Sequence, residues 1–411
     1  MTYGLIARKL GHSFSKIVHN MLFDYDYELL ELEPEQVEGF MLKKEFKAIN
    51  VTIPYKETVI PYLDFISDTA KSIGSVNTIV NKNGKLYGYN TDFFGMTSLI
   101  EKAGIDFKGK KVLILGSGGT CKTSVAVARH LGCKNLDIVS RNGGGGKISY
   151  KQAQEKKDTE IIINTTPCGM FPDTCESPID IDAFNKLEAV IDAIYNPLCS
   201  QLVCKAKQRG INSTGGLYML IAQAALAAEK FIDVTVPKSE IDRVYKGILA
   251  QKQNIVLIGM PASGKSSVGK ILSKKLNMPF IDTDSLIEKQ QGCTISQIFE
   301  KHGEAVFRSI ESDVIKQVSV RQGCIIATGG GAILRQENVM ALKQNGVLYF
   351  LDRDLCLLAA TSDRPLSSNR AALEARYNER YDKYLACCDY KICSNSTPAD
   401  AANDIERSLL A

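Results

Sequence analysis

Residues 254–268 read N-I-V-L-I-G-M-P-A-S-G-K-S-S-V, and this stretch decides the fold of the C-terminal part of the chain. The run Ile255–Ile258 is short, apolar and bounded, which predicts a buried strand. It breaks at Gly259, and Gly259–Ser266 fits G-x-x-x-x-G-K-[ST] at every fixed position. A helical period follows at Val268, Ile271, Leu272 and Leu276. Glycines let backbone N–H groups turn inward as an anion nest, and the helix N-terminus adds partial positive charge. Lys265 then reaches the terminal phosphates and the Ser266 hydroxyl sits on a phosphate-bound Mg²⁺, with Gly259, Ala262, Ser263, Gly264 and Ser267 completing the ATP cradle. A chance glycine turn would not carry a strand before it and a helix after it. The stretch predicts a nucleoside triphosphate site.

The bulk numbers narrow the class. At 411 residues the chain is long enough for two or three domains. Apolar content of 45% and charged content of 23% are ordinary for a globular chain that buries sizeable cores. The net charge of +4 comes without a basic block, so nothing supports nucleic-acid binding. Twelve cysteines are scattered without C-x-x-C pairs or Cys/His ligand spacing, which points to reduced thiols rather than disulfides or zinc. No signal peptide and no apolar run near 20 residues is present, so neither export nor membrane insertion is expected. The expected setting is cytoplasmic.

At the N-terminal end, Tyr3–Ala7 reads as a strand, and Gly11-His12-Ser13-Phe14-Ser15-Lys16 as a polar turn before a helix that runs to about Tyr25. The Ser13 and Ser15 hydroxyls suit a small polyol or a carboxylate; taken singly, either serine reads as a helix N-cap. Ala48–Pro54 reads as a further strand, with Tyr55-Lys56 opening a helix, where a lone lysine would ordinarily be a solvated cation. Ser75-Val76-Asn77-Thr78 and Tyr89-Asn90-Thr91-Asp92 follow, each after an apolar or glycine-marked segment. Together H-S-x-S, N-V-T-x-P-x-K, V-N-T and N-T-D, in this order and spacing, resemble the substrate domain of shikimate dehydrogenases. The resemblance runs to about residue 250. It implies that Ser13, Ser15, Thr52, Asn77, Asp92, Tyr195 and Gln223 hold shikimate or 3-dehydroshikimate, and that Lys56 and Asp92 form the catalytic pair. The chemistry fits: reducing a ketone needs a proton at oxygen as hydride reaches carbon, and a lysine beside a carboxylate can shuttle it. Two departures from the family pattern stand nearby, Ala7-Arg8-Lys9 for the usual G-x-P and Lys16 for a proline.

Lys110–Leu115 reads as a strand, and Gly116-Ser117-Gly118-Gly119-Thr120 opens a helix, the arrangement that cradles a pyrophosphate. Leu136–Val139 predicts a second strand ending in Ser140-Arg141-Asn142, where an adenosine ribose would sit. Arginine at that point favours a 2′-phosphate, hence NADP(H). Gly143–Gly146 and Lys147 come next, before a helix that looks shortened. The family pattern implies that Asn164 and Thr165 face the cofactor, with Ala193 beside it, and that Gly216 and Met219 lie on the nicotinamide side. The apolar helix Met219–Ala228 also reads as core. A last helix in Pro237–Gln253 resembles the one that closes the dehydrogenase on its substrate domain.

Beyond the phosphate loop, Phe280-Ile281-Asp282-Thr283-Asp284 is a strand end bearing two carboxylates, one suited to Mg²⁺ and the other to a hydroxyl proton. Phe307-Arg308, the glycine run Gly329-Gly330-Gly331 after a strand, Arg364-Pro365-Leu366 and Arg380 complete a set that resembles shikimate kinase across residues 254–411. It implies that Asp284, Arg308, Gly329, Gly330, Gly331 and Arg380 lie at shikimate, the two arginines clamping its carboxylate in their guanidinium forks. Asp282 joins Ser266 at the metal. Arg364 would ride on a lid and meet the phosphates, acting with Lys265 and Asp284 in phosphoryl transfer. The lid between Arg364 and Arg380 looks shorter than the family's.

The expected architecture is therefore α/β throughout: a shikimate dehydrogenase-like substrate domain plus a Rossmann NADP domain, fused to a P-loop kinase domain of nucleoside-monophosphate-kinase type. Residues 1–252 form the first enzyme, with 1–100 and 232–252 as its substrate part and 101–231 as its NADP part; residues 253–411 form the second. The two resemblances rest on separate residues and name consecutive reactions, reduction of 3-dehydroshikimate and phosphorylation of shikimate. Other substrates on the same folds would not call for the S-x-S, Lys/Asp and paired-arginine sets together. A nucleotide sensor with one dead site would not retain every acid, base and phosphate residue. The expected partners are small molecules, with no nucleic acid and no membrane, and a homodimer is compatible with the sequence.

Overall fold

In the computed structural model, residues 2–11, 13–358 and 370–410 are described, and the chain divides into two compact units, Met1–Ile248 and Leu249–Ala411. The sequence places that boundary near 252. The difference lies within one continuous helix, Lys238–Lys252, whose buried Ile241, Val244 and Ile248 belong to the first unit.

The first unit holds two sheets. β1 (Tyr3–Ala7), β2 (Tyr27–Glu31), β3 (Ala48–Val51), β4 (Phe65–Ile66), β5 (Thr78–Lys82) and β6 (Lys85–Tyr89) form a six-stranded sheet in the order β2-β1-β3-β5-β6-β4. β1 lies parallel to β2 and β3, whereas β5 runs antiparallel to β3 and β6. The β5–β6 hairpin turns at Asn83 and Gly84, with φ of 53° and 82°, the residue pair that a type I′ turn requires. β7 (Lys111–Leu115), β8 (Asn135–Val139), β9 (Ile161–Asn164), β10 (Ala189–Asp192) and β11 (Asn212–Thr214) form a parallel sheet in the order β11-β10-β9-β7-β8. Strand order reverses at β7, which has β9 on one side and β8 on the other, so a crevice opens at its C-terminal end.

Two expected helices differ. The first spans Ser15–Leu22 rather than reaching Tyr25, because β2 must begin at Tyr27 to pair with Tyr3, and the chain needs the intervening residues to turn. No α-helix opens at Tyr55-Lys56: the segment forms turns and a short 3₁₀ piece, Ile60–Tyr62. Pro54 and Pro61 lack N–H donors, and Thr58, Val59 and Ile60 are β-branched, so helix propagation fails on both counts.

The second unit is one parallel sheet in the order β13-β14-β12-β15-β16, built from β12 (Asn254–Ile258), β13 (Phe280–Asp282), β14 (Ile325–Ala327), β15 (Gly346–Asp352) and β16 (Tyr390–Cys393). Every residue of β12 is buried. Its side chains alternate between two cores, as a strand's period of two requires. Ile255 and Leu257 pack with Val268, Leu272 and Ile405, whereas Val256 and Ile258 pack with Phe307, Ile315 and Phe350. β12 again sits where strand order reverses, so its C-terminal end opens on a crevice. Among the described residues, no helix is long and apolar enough to cross a membrane.

Candidate active sites

The first site lies between the two sheets of the first unit, in a cavity of about 740 Å³. Lys56, in the turn after β3, and Asp92, at the first turn of the helix Asp92–Ala103, meet there with Nζ and Oδ2 2.6 Å apart. Both are largely buried, at 9% and 6% exposure, so the ion pair is screened little by solvent. Around them the cavity wall carries Ser13, Ser15, Thr52, Asn77, Tyr195 and Gln223. The Ser13 hydroxyl donates to Ser15 Oγ at 3.0 Å and accepts from the Ser15 N–H at 3.2 Å. That turn holds the two hydroxyls side by side, while the helix itself has no side-chain cap. Burial pushes the Tyr195 phenol pKa up, and a hydrogen bond with Ser13 pulls it back. Asn77 Nδ2 donates to Thr91 Oγ1 at 3.0 Å and to Gln223 Oε1 at 3.3 Å, which ties three elements together at the cavity floor.

Gln223 reaches that point because two helices touch at a glycine. A Cβ on Gly95 would lie 2.6 Å from the Met219 carbonyl oxygen and 2.9 Å from Gln223 Cβ. Asp92–Ala103 can therefore press its backbone against Leu217–Ile232. Met219 and Gly216 line the cavity from the second helix, together with Thr120, Thr165 and Ala193.

The remaining cofactor candidates spread from the cavity along the ends of β7 and β8. Residues 116–119 turn into the helix Gly119–His130, whose N-cap Gly118 supplies no side-chain cap, leaving backbone N–H groups facing the crevice. Ser140, Arg141 and Asn142 follow β8, with Arg141 and Asn142 exposed. After them residues 143–146 are glycines with φ of 64°, 83°, 59° and 79°, a left-handed path that other residues seldom follow. Burial raises the Cys121 thiol in the first turn of Gly119–His130 to about 11, and the charges of Lys147 and Lys122 pull it back. Asn164 is fully buried, its amide donating to Asp192 Oδ1 at 3.0 Å and its oxygen accepting from Thr166, so its side chain is not part of the cavity lining.

In the second unit the phosphate loop turns through Gly259, Ala262 and Gly264 at φ of 144°, 65° and 93°. Ala262 carries a steric penalty there that glycine would not. Lys265 Nζ donates to the Gly259 and Met260 carbonyls at 2.9 and 2.8 Å. The Ser263 side chain is fully buried, its N–H donating to the Met260 carbonyl and its carbonyl accepting from the Ser394 hydroxyl, whereas Ser266 and Ser267 are exposed at the helix start. The Ser266 hydroxyl donates to Asp282 Oδ2 at 2.6 Å. Asp282 caps the next helix by accepting from the Asp284 and Ser285 N–H groups, and this cap turns the two carboxylates apart. Asp282 faces the phosphate loop. Asp284 faces the glycine run, where a Cβ on Gly329 would lie 2.6 Å from its Oδ1 and 2.7 Å from Glu311 Oε1.

Arg308 and Arg380 converge on the same run. Arg308 packs beside Gly331, and Arg380 Nη1 donates to the Gly330 carbonyl at 3.1 Å. Three groups in this cluster were not picked out from the sequence. Glu311 accepts from Arg308 Nη1 at 2.7 Å, and Glu304 accepts from Arg308 Nε and Nη2. Tyr384 donates to the Gly330 carbonyl at 2.5 Å. Spacings of three and four residues on one helix could have flagged the two glutamates. Burial raises the Glu311 carboxyl pKa, and Arg308 pulls it back down. Arg364 lies outside the described residues.

Comparisons with known proteins follow the same division. Residues 5–79 match the family described as shikimate dehydrogenase substrate binding domain, and residues 261–409 match shikimate kinase. The chain is 34% identical over 271 residues to a shikimate dehydrogenase (NADP(+)) of Clostridium perfringens, spanning 59% of this chain and 97% of the relative. Shikimate dehydrogenase 1 from Peptoclostridium difficile superposes with a TM-score of 0.57 at 34% identity, over 60% of this chain and 98% of that structure. The shikimate 5-dehydrogenase of Thermus thermophilus, solved in complex with NADP(H) and shikimate, superposes with a TM-score of 0.54 at 26% identity, over 60% and 99% of the two chains.

Proposed function

The chain belongs to the shikimate dehydrogenase family and carries a shikimate kinase domain, and from that premise we propose how two sites divide the work of one bifunctional shikimate-pathway enzyme. The first site reduces 3-dehydroshikimate to shikimate, and the second phosphorylates shikimate. The observation that carries this reading is the buried Lys56–Asp92 pair, 2.6 Å apart in a cavity lined by hydroxyls and amides together with Ala193, Gly216 and Met219. Bound NADPH supplies the hydride. Lys56 gives a proton to the ketone oxygen as charge builds there, and Asp92 orients the ammonium and stabilises it. Ser13, Ser15, Thr52, Asn77, Tyr195 and Gln223 hold the hydroxyls and carboxylate. Residues 116–120 take the pyrophosphate, and Arg141 with Lys147 takes the ribose phosphate, which favours NADP(H) over NAD(H).

In the second site Arg308 and Arg380 grip the substrate carboxylate while Asp284 accepts the hydroxyl proton. Lys265, and Arg364 on its lid, neutralise the phosphates. Mg²⁺ belongs to this reading. Ser266 Oγ and Asp282 Oδ2, already paired at 2.6 Å beside the phosphate loop, are the hard oxygen donors such an ion takes. Magnesium at a nucleotide site uses one or two protein ligands plus phosphates and water, so a larger acidic cluster is not needed. The cysteines are free thiols, which fits the reducing cytoplasm.

The test is to mix the intact chain with 3-dehydroshikimate, NADPH, ATP and Mg²⁺ and identify products by mass spectrometry. Shikimate 3-phosphate, formed only when both nucleotides are present, is the expected result. Shikimate without its phosphate would remove the kinase assignment. Absence of NADPH oxidation would remove the first.

A further inference from the structure

We propose that Asp192 is a positioning residue for the reductase, its carboxylate clamping together the two strand-end loops that face the cofactor side of the cavity. The inference rests on the reading that this cavity takes a nicotinamide. Asp192 is the last residue of β10 and stands in register with Asn164, the last residue of β9. Both are fully buried, so neither touches a ligand. The loops they lead into do line the cavity, Thr165, Thr166 and Pro167 after β9, and Ala193, Ile194 and Tyr195 after β10.

The bonds run outward from the carboxylate to those loops. Oδ1 accepts from Asn164 Nδ2 and from the Ile194 N–H, each at 3.0 Å. Oδ2 accepts from the Ser200 hydroxyl at 2.5 Å, and Ser200 caps the helix Gln201–Gln208. Asn164 Oδ1 passes the constraint on, accepting from the Thr166 N–H at 3.0 Å and the Thr166 hydroxyl at 2.7 Å. The Ala193 N–H closes the circuit by donating to the Asn164 carbonyl at 2.9 Å. One carboxylate thus accepts three donors, which an acceptor-only group with two oxygens can do and a hydroxyl cannot. Among the described residues no salt bridge compensates its burial, and burial pushes its pKa up to about 7. A carboxyl group buried at such a cost for stability points to a demand for geometry. The two loops would bracket the nicotinamide, and a shift of their spacing by a fraction of an ångström would move the hydride donor relative to Lys56 and Asp92.

The test uses the intact bifunctional chain, in which the kinase reaction reports that the rest of the protein is folded. Asp192→Ala should lower kcat for ketone reduction about 100-fold, the loss expected of a misplaced reacting centre. It should raise the KM for NADPH and leave the kinase rate unchanged. The primary isotope effect with deuterated NADPH should grow, because the hydride step is the one slowed. Asp192→Asn keeps one oxygen for Asn164 and Ile194 and should recover most of the rate. Asn164→Ala should act in the same direction, and the double variant should lose less than the sum of the single losses, since both remove one clamp. An unchanged kcat and NADPH KM in Asp192→Ala would overturn the proposal, as would additive losses. If Asp192→Ala does not fold, Asn164→Ala decides alone, by its kcat and its isotope effect. A wild-type chain that does not oxidise NADPH with 3-dehydroshikimate removes the reading of the cavity; an active wild type with an indifferent variant removes only the clamp.

Discussion

At the scale of the residue, each site turns on buried charge whose partners can be named. Lys56→Ala should reduce the reductase rate by at least about 100-fold, the range of general acid–base catalysis, while the kinase rate holds. Retained reduction would take Lys56 out of the chemistry. Asp192 makes a separate prediction about stability. Burial raises its carboxyl to about 7, against the pull of Ser200, the Ile194 N–H and Asn164. Its titratable neighbour Cys168, raised to about 11, stays neutral through this range. An unfolded aspartate titrates near about 3.9, so between that pH and about 7 the folded chain holds a proton that the unfolded chain has released. The contribution of this group to stability is therefore fully present at low pH and is lost as pH rises toward 7. Unfolding of the first unit, followed by melting at pH 5 and pH 8, should show a smaller loss toward pH 8 in Asp192→Asn than in the wild type. Equal differences in the two proteins would refute it.

At the scale of the element, what could be read in advance depended on how local the determinants are. The phosphate loop was legible in full because strand, glycine turn, lysine and helix are contiguous, and the structure places β12 and the helix Lys265–Leu276 around it. Lys56 and Asp92 could be named together only through a family pattern, since 36 residues separate them and no periodicity links them. Glu311 was not legible as a partner of Arg308. Its significance depends on which face of the helix that follows the kink at Gly303 is buried, and that face is set by packing on β12, β14 and β15. The helix expected at Tyr55 failed because prolines and β-branched residues outweighed the polar start that suggested it. Helix contacts also carry predictions. Gly95→Ala would drive a methyl into the Met219 carbonyl and Gln223 Cβ, and overpacking of this kind costs about 1–3 kcal/mol. The variant should melt earlier and bind substrate more weakly through the displaced Gln223; unchanged melting would show that the helices slide apart freely. Tyr384→Phe removes the hydroxyl that holds the Gly330 carbonyl, a loss of about 1 kcal/mol, and should raise the kinase KM for shikimate without touching reduction.

At the scale of the whole molecule, each unit owns its cores and its nucleotide. A ligand that binds only the folded form stabilises by about 2.7 kcal/mol at a hundred times its Kd. NADPH should raise one calorimetric transition and ATP with Mg²⁺ the other. A single transition moved equally by both ligands would mean that the units unfold as one. Lys265 sets a further condition on the second of these. Its ammonium is already bonded to two carbonyls of its own loop, so an incoming phosphate oxygen does not meet a bare cation but competes for an occupied one. Recruitment is an exchange of ligands on nitrogen, and a lone weak anion has little to offer in that exchange. A chelating polyphosphate that grips the surrounding N–H groups at the same moment can win it. The expected outcome is that titration calorimetry finds the triphosphate taken up and inorganic phosphate not; equal uptake of both would show that the two carbonyls exact no such exchange.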